Sequence, residues 1–211
     1  MIEFYEHWLH SPGYLTARLP VDLLQEINEQ VEKIKADNYE GYINVDQHLA
    51  GHLAHQFDLT ASKNLEDFLC FMAIEYDTRF DYFNSVTHHA GPQRLKLNEM
   101  WINFQKKHDF NPLHDHNGVM SFVIWHTIPY DVKEELQQYK NGTFSSCAST
   151  FEFVYTDSLG NIRNKALPIN KEWEGVICMF PAKMRHCVQP FYTSDDYRIS
   201  IAGNIGFANT N

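Results

Sequence analysis

From residue 94 onward the chain takes on the period of β-strands. Short apolar or alternating segments at 95–104, 119–128, 150–156, 162–167, 175–180, 186–190 and 197–205 are separated by turn signals. The clearest of these is the hairpin loop Asp157-Ser158-Leu159-Gly160-Asn161. Seven short strands this closely spaced, with no helix between most of them, predict an antiparallel sandwich or barrel. The first ~90 residues read differently. After Pro20, Leu23, Leu24, Ile27, Val31 and Ile34 recur at three-to-four spacing, with acids early and lysines late, as the helix dipole prefers. A second helix is predicted over 64–83, with Leu65, Phe68, Leu69, Met72, Tyr76 and Phe80 on one side, ending before the turn-rich 87–92. Two one-faced helices need a flat partner. The expected class is therefore mainly β with N-terminal helices (α+β), in one domain spanning 1–211: a helical support region at 1–92 and a β core at 93–211.

Composition narrows the function. Of 211 residues, 44% are hydrophobic, 14% aromatic and 21% charged, enough apolar material for a packed core and too little charge for a disordered chain. The formal net charge of −10 repels phosphate backbones, so neither nucleic acid nor an anionic membrane is an expected partner. Cys70, Cys147, Cys178 and Cys187 form no Cys-x-x-Cys and read as thiols of a reducing compartment, with Cys178 and Cys187 as candidate strand neighbours. The segment 1–7 lacks the features of a signal peptide and no run approaches eighteen apolar residues, so the expected location is cytoplasmic, a host cytoplasm if the chain is phage-encoded.

Twelve histidines remain to be explained. In Asn111-Pro112-Leu113-His114-Asp115-His116-Asn117-Gly118, an extended backbone points His114 and His116 to one face and Asp115 to the other. Two imidazoles so placed can grip one metal ion, and His186, which opens a later strand, is the best third ligand. Neutral imidazole suits Fe, Zn, Cu or Ni, and three ligands on one face leave positions for substrate or dioxygen. Twelve residues past His186 stands Arg198, with Ser200 on the same strand face. A planar guanidinium beside a hydroxyl is a receptor for a carboxylate, and a sandwich interior would not hold an Arg without such a partner. The competing reading is a salt bridge to one of the chain's 27 acids.

The order His-x-His, about 70 residues, His, then Arg-x-Ser resembles the 2-oxoglutarate and Fe(II)-dependent oxygenase superfamily, and most closely its bacterial and phage group related to prolyl 4-hydroxylases. The supporting stretches, 100–104, 111–116, 120–125, 180–186 and 198–204, cover roughly half the chain. The resemblance implies a double-stranded β-helix (a cupin-like jelly roll) with helices packed on its larger sheet. It implies Fe(II) on His114, His116 and His186, the distal carboxylate of 2-oxoglutarate on Arg198 and Ser200, and dioxygen as oxidant. Succinate and CO2 would be released as an unidentified peptide or small molecule is hydroxylated. Asn103 and Trp125, on flanking strands, would contact co-substrate or substrate. One departure is chemical: the superfamily's usual triad is two His and a carboxylate, whereas here His116 takes the carboxylate position. Asp115 cannot substitute without a register change that turns His114 away.

Two rival readings follow from that departure. One is a cupin-like three-His metalloenzyme that does not use 2-oxoglutarate; the other is a non-catalytic jelly-roll binding or structural module. A homodimer is compatible with all three. Elsewhere, His48, His52 and His55 have helical i, i+4, i+7 spacing, but Gly51 weakens that helix and they read as surface or rim. His88-His89 and His108-Asp109 read as solvated loops. Cys187 points away from its neighbour His186, so a Cys-His nucleophilic pair is not expected.

Overall fold

A computed structural model describes residues 3, 5, 11–43, 51, 53–87, 94–137 and 147–208. In chain order the elements are β1 (Leu15–Arg18), α1 (Val21–Ala36), β2 (His55–Asp58), α2 (Lys63–Phe80), α3 (Phe83–Val86), β3 (Leu95–Gln105), β4 (Asn111–His114) and β5 (Met120–Thr127). They continue with α4 (Val132–Gln137), β6 (Thr150–Thr156), β7 (Ile162–Pro168), β8 (Val176–Pro181), β9 (His186–Val188) and β10 (Arg198–Phe207). Two antiparallel sheets result, ordered β1-β8-β5-β10-β3-β2 and β4-β9-β6-β7. From β3 to β10 the chain alternates between the sheets except at the β6–β7 hairpin. This winding is a double-stranded β-helix, as expected, with β1 and β2 extending the larger sheet at its two edges.

The seven expected strands correspond to β3 and β5–β10. The others, β1, β2 and β4, have four residues each, too few to establish a period. The expected second helix breaks at Phe80: Asp81 takes a left-handed conformation (φ 45°), and the Asp77 carboxylate accepts the Phe83 N–H (2.6 Å), starting α3. His55 lies in β2, stacked on Tyr39 with ring centroids 4.7 Å apart, so the helical reading fails there. His48, His52, His88 and His89 lie outside the described residues. Cys178 sits in β8 opposite Thr16 and Val123, whereas Cys187 sits in β9 of the other sheet opposite Glu152, so the two are not neighbours. All four cysteines are free thiols.

The core has two layers, and β5 shows why. Phe122 and Ile124 face α1 and α2 across the outside of the larger sheet. Val123 and Trp125 face the smaller sheet, among Phe151, Phe153 and Phe180. A strand buried on both faces reads as one continuous apolar run. The helices are fastened together by Ser62, whose hydroxyl accepts the Leu65 N–H (3.2 Å) at the start of α2 and donates to Glu26 of α1 (2.6 Å).

Beneath α1, His126 is neutral. Its ring nitrogens meet Asn28 Oδ1 (2.8 Å) and Thr127 Oγ1 (2.7 Å), and burial, aided by Lys35, pushes its pKa down to about 4. Between the ordinary value of 6.5 and about 4, the unfolded chain takes up a proton that the folded chain refuses. The stabilisation is thus complete above pH 6.5 and is lost on acidification through that window, by about 2–3 kcal/mol for this residue. His126→Gln should flatten that share of the slope in urea titrations run from pH 7.5 to 4.5.

Glu135 of α4 is fully buried. It accepts the N–H groups of Tyr192 (2.9 Å) and Thr193 (2.8 Å) and the Thr193 hydroxyl (2.5 Å). It thereby fixes the loop that leads into β10. Glu135→Ala strands these donors and should lower unfolding free energy by about 3 kcal/mol, read from the midpoint of chemical denaturation.

Among the described residues, no helix is long and apolar enough to cross a membrane.

Candidate active site

β4 and β9 are neighbours in the smaller sheet and place His114 directly opposite His186. Past β4, the His116 N–H donates to the Ala182 carbonyl in the turn that follows β8 (2.9 Å), and its ring lies 4.9 Å from that of His114 and 5.1 Å from that of His186. The ligand-capable atoms of the three imidazoles lie within 4.8 Å of one another. Asp115 points outward, exposed and paired with Lys183 (3.0 Å), as strand alternation requires. Among the described residues the cluster contains no carboxylate.

Two of the imidazoles are oriented for a metal by backbone carbonyls. The Nδ1 atoms of His114 and His186 contact the carbonyls of Pro112 (2.6 Å) and Met184 (3.0 Å). A carbonyl only accepts, so Nδ1 carries the proton and Nε2 keeps its lone pair. Burial holds His114 below its usual pKa, His116 at about 4 and His186 at about 3, with the neighbouring His114 lowering the latter two further. Aromatic rings supply the dry walls: Phe151 stacks on His186 (5.2 Å), Phe180 packs edge-on to it (4.9 Å), and Trp101 leans on His116 (5.6 Å). Three neutral nitrogen donors converging on one point fit Fe(II).

The three histidines open onto a narrow cavity of about 50 Å³ between the sheets, and Arg198, Ser200, Asn103 and Trp125 all line it. Sequence alternation thus places every candidate residue in one pocket. Arg198 is 3% exposed, with no carboxylate among the partners found in the described residues. Its Nε donates to Gln105 Oε1 (3.1 Å), Nη1 to the Tyr130 hydroxyl (2.9 Å) and the Ser149 carbonyl (3.3 Å), and Nη2 to the Gln189 carbonyl (2.7 Å). The salt-bridge alternative is therefore not realised there. Partners among the described residues engage four of the five N–H groups, so a carboxylate would meet the remaining Nη2 N–H and the full charge, and not an open fork. A buried cation held only by neutral acceptors is costly, and a carboxylate ligand relieves that cost.

Sequence reasoning missed Gln56, Gln105 and Tyr130. Gln105 was within reach, two residues beyond Asn103 on the same face of β3. Gln56 belongs to the four-residue β2, and Tyr130 lies between elements, where no period applies. His108, read as part of a solvated loop, is exposed and packs on Tyr192 (5.3 Å).

Comparisons with known proteins give the family and the fold. The model of a protein family described as "Putative 2OG-Fe(II) oxygenase" matches residues 99–204. Among solved structures, a prolyl-4-hydroxylase from Pseudomonas putida is similar with a TM-score of 0.54 at 12% identity, covering 95% of each chain. AviO1 from Streptomyces viridochromogenes gives 0.52 at 12% identity, over 94% of this chain and 90% of that one. A Trichoplax adhaerens prolyl hydroxylase, solved with a peptide fragment of the hypoxia inducible factor oxygen degradation domain, gives 0.50 at 11% identity, over 93% and 84%. At such identities the likeness is one of fold. A search of curated proteins finds no match in sequence. The family match spans β3 to β10, including all three histidines and Arg198, and on it the chain belongs to the 2OG-Fe(II) oxygenases, enzymes that use Fe(II), 2-oxoglutarate and dioxygen.

Proposed function

We propose that this chain is a hydroxylase in which His114, His116 and His186 hold Fe(II), Arg198 and Ser200 hold the distal carboxylate of 2-oxoglutarate, and Asn103 and Trp125 shape the pocket between them. The observation that carries this reading is the meeting, in one cavity, of three neutral imidazoles and a buried guanidinium that has no carboxylate partner among the described residues. When bound, Fe(II) with 2-oxoglutarate and dioxygen supplies the oxidant that converts a substrate C–H to C–OH while 2-oxoglutarate becomes succinate and CO2.

The chain's own part is orientation and exclusion of water. Arg198 contributes charge from below, and its four neutral acceptors hold the guanidinium still, so little ordering remains when a carboxylate arrives. Carbonyls on Nδ1 keep His114 and His186 in the donor tautomer toward the pocket. Phe151, Phe180, Trp101 and Trp125 leave little room for bulk water beside a strong oxidant.

A cavity of about 50 Å³ suits a small co-substrate, whereas pockets that enclose a drug-sized molecule run to roughly 300–1,000 Å³. The substrate, a peptide or a small molecule, therefore presents its reacting carbon at the mouth. The net charge of −10 argues against nucleic acid and anionic membrane as partners. We take residues 1–211 as one catalytic domain, cytoplasmic, and compatible with a homodimer.

Anaerobic loading with Fe(II) and 2-oxoglutarate, followed by air, should release succinate even without the primary substrate. Failure to bind 2-oxoglutarate, together with no succinate, would overturn the assignment.

A further inference from the structure

The pocket holds a hydrogen-bonded chain that begins outside the segment matched by the oxygenase family. Gln56 Nε2 donates to Asn103 Oδ1 (2.8 Å), and Asn103 Nδ2 donates to Ser200 Oγ (3.3 Å). Register explains the contact: Gln56 faces Asn103 across the β2–β3 ladder, and Asn103 faces Ser200 across β3–β10. Gln56 is 2% exposed and Asn103 7%. Of the described residues lining the pocket, only Leu53 and Gln56 come from before residue 99. Burying a primary amide is costly unless its polar atoms are matched, and the next residue on β2, Phe57, belongs to the apolar core of the opposite face. An amide at this position thus has a partner to serve.

The direction of the chain decides what Ser200 can do. A hydroxyl has one proton and two lone pairs. With Oγ accepting from Asn103, that proton is free to be donated into the pocket. A carboxylate offers only acceptors, so a serine that donates attracts it and a serine that has spent its proton on Asn103 repels it. We infer that Gln56 is a positioning residue for the co-substrate: by donating to Asn103 it orients the Asn103 amide, and through it makes Ser200 a donor to the distal carboxylate. This rests on the reading that Arg198 and Ser200 bind 2-oxoglutarate.

The test is calorimetric titration of 2-oxoglutarate into the full-length, Mn(II)-loaded protein at pH 8, without turnover. Gln56→Leu removes the donor and should weaken binding about 5- to 10-fold. Gln56→Glu should weaken it by at least about 30-fold, because an ionised carboxylate can only accept. It would turn the Asn103 amide around, so that Ser200 donates to Asn103 and points lone pairs at the ligand. Adding Ser200→Ala to Gln56→Glu should then restore part of the affinity, since the misdirected hydroxyl is gone. Mn(II) affinity should change little across the set; some loss of thermal stability accompanies each substitution at so buried a position, so every variant is first shown to be folded by near-ultraviolet circular dichroism.

A purely structural role for Gln56, or simple charge repulsion from the introduced carboxylate, gives no such recovery. The inference is overturned if all variants bind within twofold of wild type, if Gln56→Glu is no worse than Gln56→Leu, or if Ser200→Ala rescues nothing. Wild-type protein that fails to bind 2-oxoglutarate would overturn the oxygenase site assignment itself, and this inference with it.

Discussion

Replacing His186 by alanine is expected to abolish iron binding and to lower succinate formation by at least about 10³-fold. His186 is the most buried of the three candidate ligands, 4% exposed, with its ring held between the stacked Phe151 and the edge of Phe180. Its Nδ1 proton is committed to the Met184 carbonyl, so Nε2 has no other task in the pocket. Removing it leaves His114 and His116, a two-nitrogen site too weak to retain Fe(II) against buffer. The cavity left behind also removes ring contacts, so the variant should be compared with wild type by near-ultraviolet circular dichroism to establish that the barrel remains intact. Metal content after desalting then reads the ligand role directly: about one Fe(II) per chain in wild type and none in the variant. Retained stoichiometric iron in a folded His186→Ala protein would remove this residue from the metal site.

The second large effect is expected at Arg198. Arg198→Met should raise the dissociation constant of 2-oxoglutarate by about 10²-fold or more while leaving iron bound, because a buried carboxylate would lose the one Lys or Arg charge among the described residues that line the pocket. Arg198→Lys keeps the charge but cannot reach Gln105, Tyr130, Ser149 and Gln189 together, and should fall between the two. The pattern separates the rival readings. A three-His metalloenzyme that does not use 2-oxoglutarate keeps its metal and its activity without the guanidinium. A non-catalytic jelly roll has no 2-oxoglutarate affinity to lose. Arg198→Met also orphans four acceptors, so some loss of stability accompanies it, and the Lys variant guards against reading that loss as a binding effect.

Much of this arrangement was legible in the sequence because it depends on alternation. His114, Asn103, Arg198 and Ser200 each stand on a strand whose period of two fixes the face, His116 follows two residues past the end of β4, and the fold brings those faces together. Trp125 follows by the same rule from a strand that is apolar on both sides. The unread parts lie where periodicity has nothing to act on. β2 has four residues and α4 has six, so neither announces itself, yet they supply Gln56 to the pocket and Glu135 beneath the loop before β10. β4 presents a different difficulty: the register slips between Asn111 and His114, so only residues near the histidines follow simple alternation. The partners of Arg198 were hidden for another reason. Two are backbone carbonyls, of Ser149 and Gln189, and a sequence does not show where carbonyls point.

The most direct test of the account is a crystal structure of the protein prepared anaerobically with Fe(II) and 2-oxoglutarate. The expected result is one iron bonded to the Nε2 atoms of His114, His116 and His186. A single 2-oxoglutarate should chelate it, with the far carboxylate against the free Nη2 N–H of Arg198 and the hydroxyl of Ser200. Iron held by Asp115 or by residues outside this cluster, or a dicarboxylate bound away from Arg198, would contradict it.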